Sequence, residues 1–324
     1  MSQADLKRYL SIGHFVLSVC AGAALAYLAG KIASAALGGS LFASIRGVPT
    51  ATLALAAVIY MFGHLLRSVR LALLIGGWNV GLRLITSFHF MTAGVSLAAP
   101  LKLGEIYRVL ELSNLVGSLT RAIEIVWLER LMDVMALVVI MAVALNNVSP
   151  ANFQPFVGVV VLAVVFIAVS ALTLFVLPDN LRRTSILIIR RYDHRATLPL
   201  LRLLSQVRNA ILEAPRIVHG KVGSLAALTV LIWTCEVACF GVLLGALGYN
   251  VAAAPDALLR FLSVLTRGQT LVGVLDAPVA SGARDFLPYL AATQVPLALI
   301  GLVAGLAYVI QRVSRRRQLA LYSK

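Results

Sequence analysis

Ala99-Pro100-Leu101-Lys102-Leu103-Gly104-Glu105-Ile106-Tyr107-Arg108 interrupts an otherwise apolar region running from about residue 84 to residue 118. It sets a helix-breaking proline, a glycine and three charges where a hydrocarbon-embedded helix tolerates them badly. Each isolated charge costs at least about 2.5–3.5 kcal/mol at the centre of a bilayer unless it is paired or wetted. The next apolar run carries a second such group, Leu128-Glu129-Arg130-Leu131-Met132-Asp133. Whether the first segment crosses the membrane or turns back within it decides the topology of the whole chain.

The surroundings leave no doubt about the solvent. Of 324 residues, 60% are hydrophobic and 13% charged, with a mean hydropathy of +0.93, which leaves too little polar surface to cover a water-soluble domain. The apolar stretches are long and continuous, whereas a membrane β-barrel has short alternating segments. The sequence therefore predicts an all-α, polytopic membrane helix bundle forming one integral membrane domain over residues 1–324. The net charge of +15 does not point to nucleic acid. The basic residues lie between and beside the apolar runs without interleaved aromatics, the pattern of loops facing an anionic leaflet.

Full spans are expected near 10–31, 50–66, 122–145, 154–177, 223–247 and 287–310, with two irregular apolar regions at 84–118 and 258–285. The first run follows Lys7 and Arg8 and passes through Leu17-Ser18-Val19-Cys20. Val19 is too bulky for a processing site of that type and the apolar run continues to Gly30, so an uncleaved first helix is expected. Residues 179–222 hold nine basic residues, Arg182 through Lys221, against Asp179, Asp193 and Glu213. The N-terminus, the turn with Arg67, Arg70 and Arg83, and the tail from Arg312 to Lys324 are also basic, whereas the loops near 32–49, 146–153 and 248–257 are nearly free of positive charge. If both irregular regions crossed fully, the 179–222 segment would face outward, against the positive-inside rule. If both turn back, six crossings put every basic segment and both termini in the cytoplasm of a prokaryotic inner membrane.

Turning back makes the two regions oppositely oriented re-entrant segments. A short internal echo accompanies this: Ala99-Pro100 leads to Gly104-Glu105, and Ala277-Pro278 leads to Gly282, Ala283, Arg284 and Asp285. Paired, interrupted apolar segments in the two halves of a chain point to a transporter's midplane site. The expected organisation is a first half, 1–178, with re-entrant region 84–118; a cytoplasmic amphipathic linker, 179–222; and a second half, 223–324, with re-entrant region 258–285. In the linker, Leu and Ile interleaved with Arg read as interfacial helices, an orientation anchor before a lipid-headgroup site.

Glu105 and Arg108 share a helix face, with Glu111 on the adjacent turn, and so do Glu129 and Asp133, with Arg130 beside them and Glu124 earlier. The economical arrangement is a cross-helix network in which the arginines meet the carboxylates around a polar cavity, since the guanidinium fork suits carboxylate or phosphate. Arg267, in Thr266-Arg267-Gly268-Gln269-Thr270, and Arg284 are the corresponding cavity candidates of the second half. Arg67 and Arg70 are expected to be snorkelling anchors. Cys235 and Cys239 share a face without completing a metal set, His14, His64, His89, His194 and His219 do not group in sequence, and no nucleotide-binding loop is present, so neither metal nor cofactor is expected.

At these residues the chain resembles the integral membrane domain of lysylphosphatidylglycerol synthases and its free-standing, flippase-like relatives. The resemblance rests on Arg67-Ser68-Val69-Arg70, on Pro100 through Gly104-Glu105 and Arg108, and above all on Leu128-Glu129-Arg130-Leu131-Met132-Asp133. It implies translocation of a membrane lipid, a phospholipid or a polyprenyl-linked envelope intermediate, with Glu105, Arg108, Glu129, Arg130 and Asp133 at the site. These 324 residues hold no soluble aminoacyl-transferring domain, so lysyl transfer is not expected of them, and Arg284 and Asp285 depart from the acidic residue usual after the second glycine motif. Two other readings stay open: an intramembrane enzyme acting on a lipid headgroup or phosphate, and an accessory subunit of an envelope glycosyltransferase, with envelope-synthesis enzymes as the expected protein partners. Assembly as a homo-oligomer is compatible with all three.

Overall fold

The computed structural model of the chain describes residues 3–39, 45–76, 80–99, 103–145, 154–191, 197–249 and 287–322, all but a few turn residues of them α-helical. Ten helices are described: α1 (Gln3–Leu37), α2 (Thr50–Ile75), α3 (Leu82–Ala98), α4 (Leu103–Val116), α5 (Leu119–Leu145), α6 (Gln154–Phe175), α7 (Leu177–Arg191), α8 (Thr197–Val218), α9 (Val222–Ala246) and α10 (Leu287–Tyr322). Five are long and apolar enough to cross a membrane: α1 from Val16, α2, α6 from Val157, α9, and α10 as far as Arg312. Helix α5 has the length of a sixth, about 40 Å at 1.5 Å per residue, but carries Glu124, Glu129, Arg130 and Asp133.

The expected end of the second span at residue 66 is corrected: α2 runs on to Ile75. Arg67 and Arg70 therefore sit within the helix rather than at its edge. Its true end is chemical. Gly76 takes the left-handed conformation (φ 85°), and the last carbonyls of α2 are held by cations from elsewhere, Arg121 Nη2 donating to Ile75 O (3.0 Å) and Lys221 Nζ to Leu73 O (2.8 Å).

Region 84–118 is not one crossing helix. Helix α3 stops at Ala98, and Ala99 is extended (φ −85°, ψ 130°), the conformation forced on a residue before proline. The chain then folds back, because the Tyr107 hydroxyl reaches Met91 Sδ at 3.8 Å while Gly104 lies against Ser96, an antiparallel pairing. At 1.5 Å per residue the two arms are about 25 and 21 Å long, short of the roughly 30 Å of a bilayer's hydrocarbon core. Gly117 (φ 74°) turns the chain out of the hairpin, and the Ser118 hydroxyl accepts from the Arg121 N–H to start α5. On its other side the hairpin rests on α10 through glycine against glycine: a Cβ at Gly301 would lie 3.0 Å from Gly94 Cα, and Gly305 follows four residues later, the small-residue spacing that brings membrane helices close.

Two apolar clusters hold the bundle, one around Leu71, Phe88, Leu112 and Ile125, the other around Ala56, Phe240, Leu243 and Leu290. Along α2 the order is Ala56, then Tyr60 to Arg70, then Leu71 to Ile75; along α9 it is Leu225, then Thr229 to Glu236, then Cys239 to Leu244. A polar layer thus lies between two apolar ones. The linker of the sequence reading is two amphipathic helices, α7 and α8, the second anchored by buried Ala214 and Ile217. Residues 250–286, with Arg267, Arg284, the Ala277–Asp285 echo and the second region at 258–285, lie outside the described residues.

The tightest backbone approach in the hairpin is at Gly104, where a Cβ would stand 2.5 Å from Ser96 Cα. Gly104→Ala is expected to destabilise the protein by about 1–3 kcal/mol through overpacking, read as a lower thermal unfolding midpoint in detergent. An unchanged midpoint would mean that the arms are not packed this closely.

Candidate functional site

Between the apolar clusters lies a cavity of about 360 Å³ walled by α2, the α3–α4 hairpin, α5, α9 and α10. Each helix contributes by its own periodicity: Tyr60, His64 and Arg67 on α2, Asp133, Leu137 and Ile140 on α5, Trp233, Glu236 and Phe240 on α9 are three or four residues apart and so face one way. Four arginines (67, 70, 108, 130) and four carboxylates (Glu105, Glu129, Asp133, Glu236) meet there.

The network is crossed between helices. Arg108 Nη2 donates to Glu129 Oε2 at 2.6 Å, joining α4 to α5, and Arg130 donates to Glu105 in the reverse sense. Glu105 and Arg108 share a face, as the spacing requires, yet each takes its partner from α5. Arg70 Nη1 reaches Asp133 Oδ1 at 2.8 Å and Thr229 Oγ1 at 3.2 Å, tying α2 to α5 and α9. Arg67 Nη2 lies 2.8 Å from Glu236 Oε1, whose other oxygen accepts from the Tyr289 hydroxyl at 3.3 Å. Exposure falls from 45% for the Arg130 side chain to 1% for Arg70, so Arg130 and Glu105 stand at the mouth and Arg70 at the floor.

The structure brings Glu105, Arg108, Glu129, Arg130 and Asp133 together, as the sequence reading expected. Arg267 and Arg284 fall outside the described residues. One expectation is corrected. Arg67 and Arg70 do not snorkel: they are cavity residues, held inward by Glu236 and Asp133. Two of the histidines that are scattered in sequence meet in space, His64 Nδ1 lying 3.1 Å from His89 Nε2 and Arg67 Nη1 3.5 Å from His64 Nε2. Glu111 is turned away from the cavity, where Arg312 Nη1 (2.7 Å) and the Tyr308 hydroxyl (3.1 Å) hold its carboxylate and so join α4 to α10. Sequence reasoning also missed Glu236, although it is the lone acid of an apolar span and the same cost argument singles it out.

The ion pairs leave hydrogen-bonding capacity unused. Among the described residues, the N–H groups at Arg70 Nε, Arg108 Nε and Trp233 Nε1, together with His89 Nδ1 and Glu105 Oε2, are buried in the cavity wall without a protein partner. With Arg67 donating to His64 Nε2, His64 carries its proton on Nδ1 and donates to His89 Nε2, which makes His89 Nδ1 a donor as well. Four unmatched donors against one unmatched acceptor form a wall suited to an oxygen-rich, acceptor-rich group.

Apolar spanning helices around a charge-lined cavity define a multi-pass membrane protein. The family model described as the lysylphosphatidylglycerol synthase TM region matches residues 14–267, well over half of the chain, and the protein belongs to that family. Neither the curated proteins nor the solved structures contain a significant match.

Removing one partner of a buried pair strands the other, at a cost of about 3–5 kcal/mol, whereas a half-exposed pair is worth about 0–1 kcal/mol. Arg108→Ala and Glu129→Ala are each expected to be severely destabilising, and the double variant to cost less than their sum by about 1–3 kcal/mol; Arg130→Ala is expected to fall near the lower figure. A double-mutant cycle on thermal stability in detergent measures this, and strict additivity would refute the pairing.

Proposed function

We propose that the protein translocates an amphiphilic lipid, of phospholipid or polyprenyl-phosphate type, by holding its headgroup in the charged cavity while the hydrocarbon stays in the bilayer. The observation that carries this reading is the set of unmatched buried donors among paired charges. A phosphate or similarly oxygen-rich headgroup supplies the acceptors that Arg70, Arg108, His89 and Trp233 lack. Family membership agrees with a lipid-related role at the membrane.

On this reading the α3–α4 hairpin enters from the cytoplasmic face and turns back at membrane depth, its tip at Ser96 and Gly104 reaching the cavity. The short arms and the proline-glycine break support it, since non-helical backbone is tolerated at that depth only when buried in protein or lining a wet space. The basic segments, including α7–α8 and both termini, face the cytoplasm of a prokaryotic inner membrane.

The test is movement of fluorescent lipid between leaflets of liposomes containing the purified protein. A hydrogen bond to a charged group is worth about 1.5–3 kcal/mol, so Arg130→Ala, Glu129→Gln and Asp133→Asn are each expected to slow translocation by about tenfold or more while the protein stays folded. Normal rates in all three would sink the assignment. Conversion of a labelled lipid without change of leaflet would instead favour an intramembrane enzyme.

A further inference from the structure

A second cavity, of about 480 Å³, lies between α5 and α9, formed by Ala136, Val139 and Ile140 on one side and Val230, Thr234 and Val237 on the other. Ile140, Trp233 and Val237 belong to both cavities, so the two share a wall. Their chemistry is opposite. Among the described residues the one hydroxyl lining the second cavity, Thr234 Oγ1, is already spent on the Val230 carbonyl of its own helix at 2.8 Å. The outer rim is apolar and open, Val139 and Val230 being 63% and 64% exposed. A charged pocket therefore backs onto an oily groove at the side of the bundle, with Ile140, Trp233 and Val237 between them. At the border stands Trp233, whose indole N–H is buried and unpartnered.

Resting on the headgroup reading above, we infer that the α5–α9 groove holds an acyl chain of a glycerophospholipid, with the Trp233 N–H donating to the ester carbonyl where chain and headgroup meet. The shared wall sets the shape of an occupant that reaches both cavities: polar at one end, hydrocarbon at the other, joined at Trp233. The unmatched donor fixes its chemistry. A glycerophospholipid carries an ester carbonyl at that junction, whereas a polyprenyl phosphate has only hydrocarbon beyond its phosphate. An indole suits this border, apolar in its ring and polar at its tip. Among the described residues the groove asks for no other polar group, because its one hydroxyl is satisfied.

The experiment uses the full chain in phosphatidylcholine liposomes doped with phosphatidylglycerol bearing a diazirine near the end of one acyl chain. Crosslinks mapped by mass spectrometry are expected to concentrate on residues 136–140 and 230–238, and Ala238→Phe, which narrows the groove, is expected to lower them at least fivefold. Ester-linked phosphatidylglycerol should compete with the probe at least fivefold better than its ether-linked analogue, and Trp233→Phe should erase that difference. Crosslinks spread evenly over the lipid-facing helices, equal competition by ester and ether lipids in the unmodified protein, or stronger competition by a polyprenyl phosphate would each overturn the inference. Binding of soluble glycerol phosphate, and its loss in Arg130→Ala, tests the headgroup reading separately. Its failure alongside groove-specific crosslinks would remove that reading and leave the chain site standing.

Discussion

Charge is expensive in hydrocarbon, and this bundle is organised around that cost. Among the described residues, no arginine of the cavity is held by a carboxylate of its own helix alone. Arg108 on α4 takes Glu129 on α5, Arg130 on α5 takes Glu105 on α4, Arg70 on α2 takes Asp133 on α5, and Arg67 on α2 takes Glu236 on α9. Each pair is also a tie between elements, so solving the electrostatic problem fixes helix order and depth together. The hairpin is placed by this rule twice over, through the crossed pairs to α5 and through Glu111 to Arg312 and Tyr308 on α10.

Packing completes what the charges begin. Lipid offers no hydrophobic drive for helices to associate, so close backbone approach must come from small residues. Gly94 against Gly301, and Gly63 against the Cys235 side chain at the level of the polar layer, supply it. These contacts let α3 lie along α10, and α2 along α9, closely enough for arginine and carboxylate to meet at hydrogen-bonding distance. The cavity remains because guanidinium groups satisfied at one edge cannot also pack as hydrocarbon. A collapsed, dry arrangement would leave the remaining N–H groups unsolvated at greater cost.

Much of this was legible in the sequence, for a physical reason: a charge inside an apolar run is visible without any structure. Glu105, Arg108, Glu129, Arg130 and Asp133 stood out on that ground, and helix periodicity put them on common faces. Proline 100 and Gly104 marked the break that the hairpin shows. What failed was inference about depth and partnership. Arg67 and Arg70 looked like the edge of a span because positive charge usually marks one, and only the positions of Glu236 and Asp133 on other helices reveal that α2 continues past them. His64 and His89 are 25 residues apart, and nothing in their spacing shows that α2 and α3 bring their rings together. Glu236 was readable and overlooked, being the same signal in a span whose other residues gave no hint of a site.

The charges of the described cavity cancel, four positive against four negative. A site with surplus cations would draw in an anion and hold it. A neutral one admits a headgroup only by exchange, in which an incoming phosphate takes an arginine from its carboxylate and the freed carboxylate must find water, a proton or a cationic part of the same headgroup. The gradient of burial sets where exchange is cheapest. Arg130 and Glu105 are already half-hydrated, so separating them costs little, whereas opening Arg70 from Asp133 would strand both ions in a low-dielectric floor. On the proposed reading the mouth pair is therefore the part that yields and the floor pair is the scaffold. The site can then release its cargo as readily as it takes it up, which a carrier requires and a tight binding protein does not.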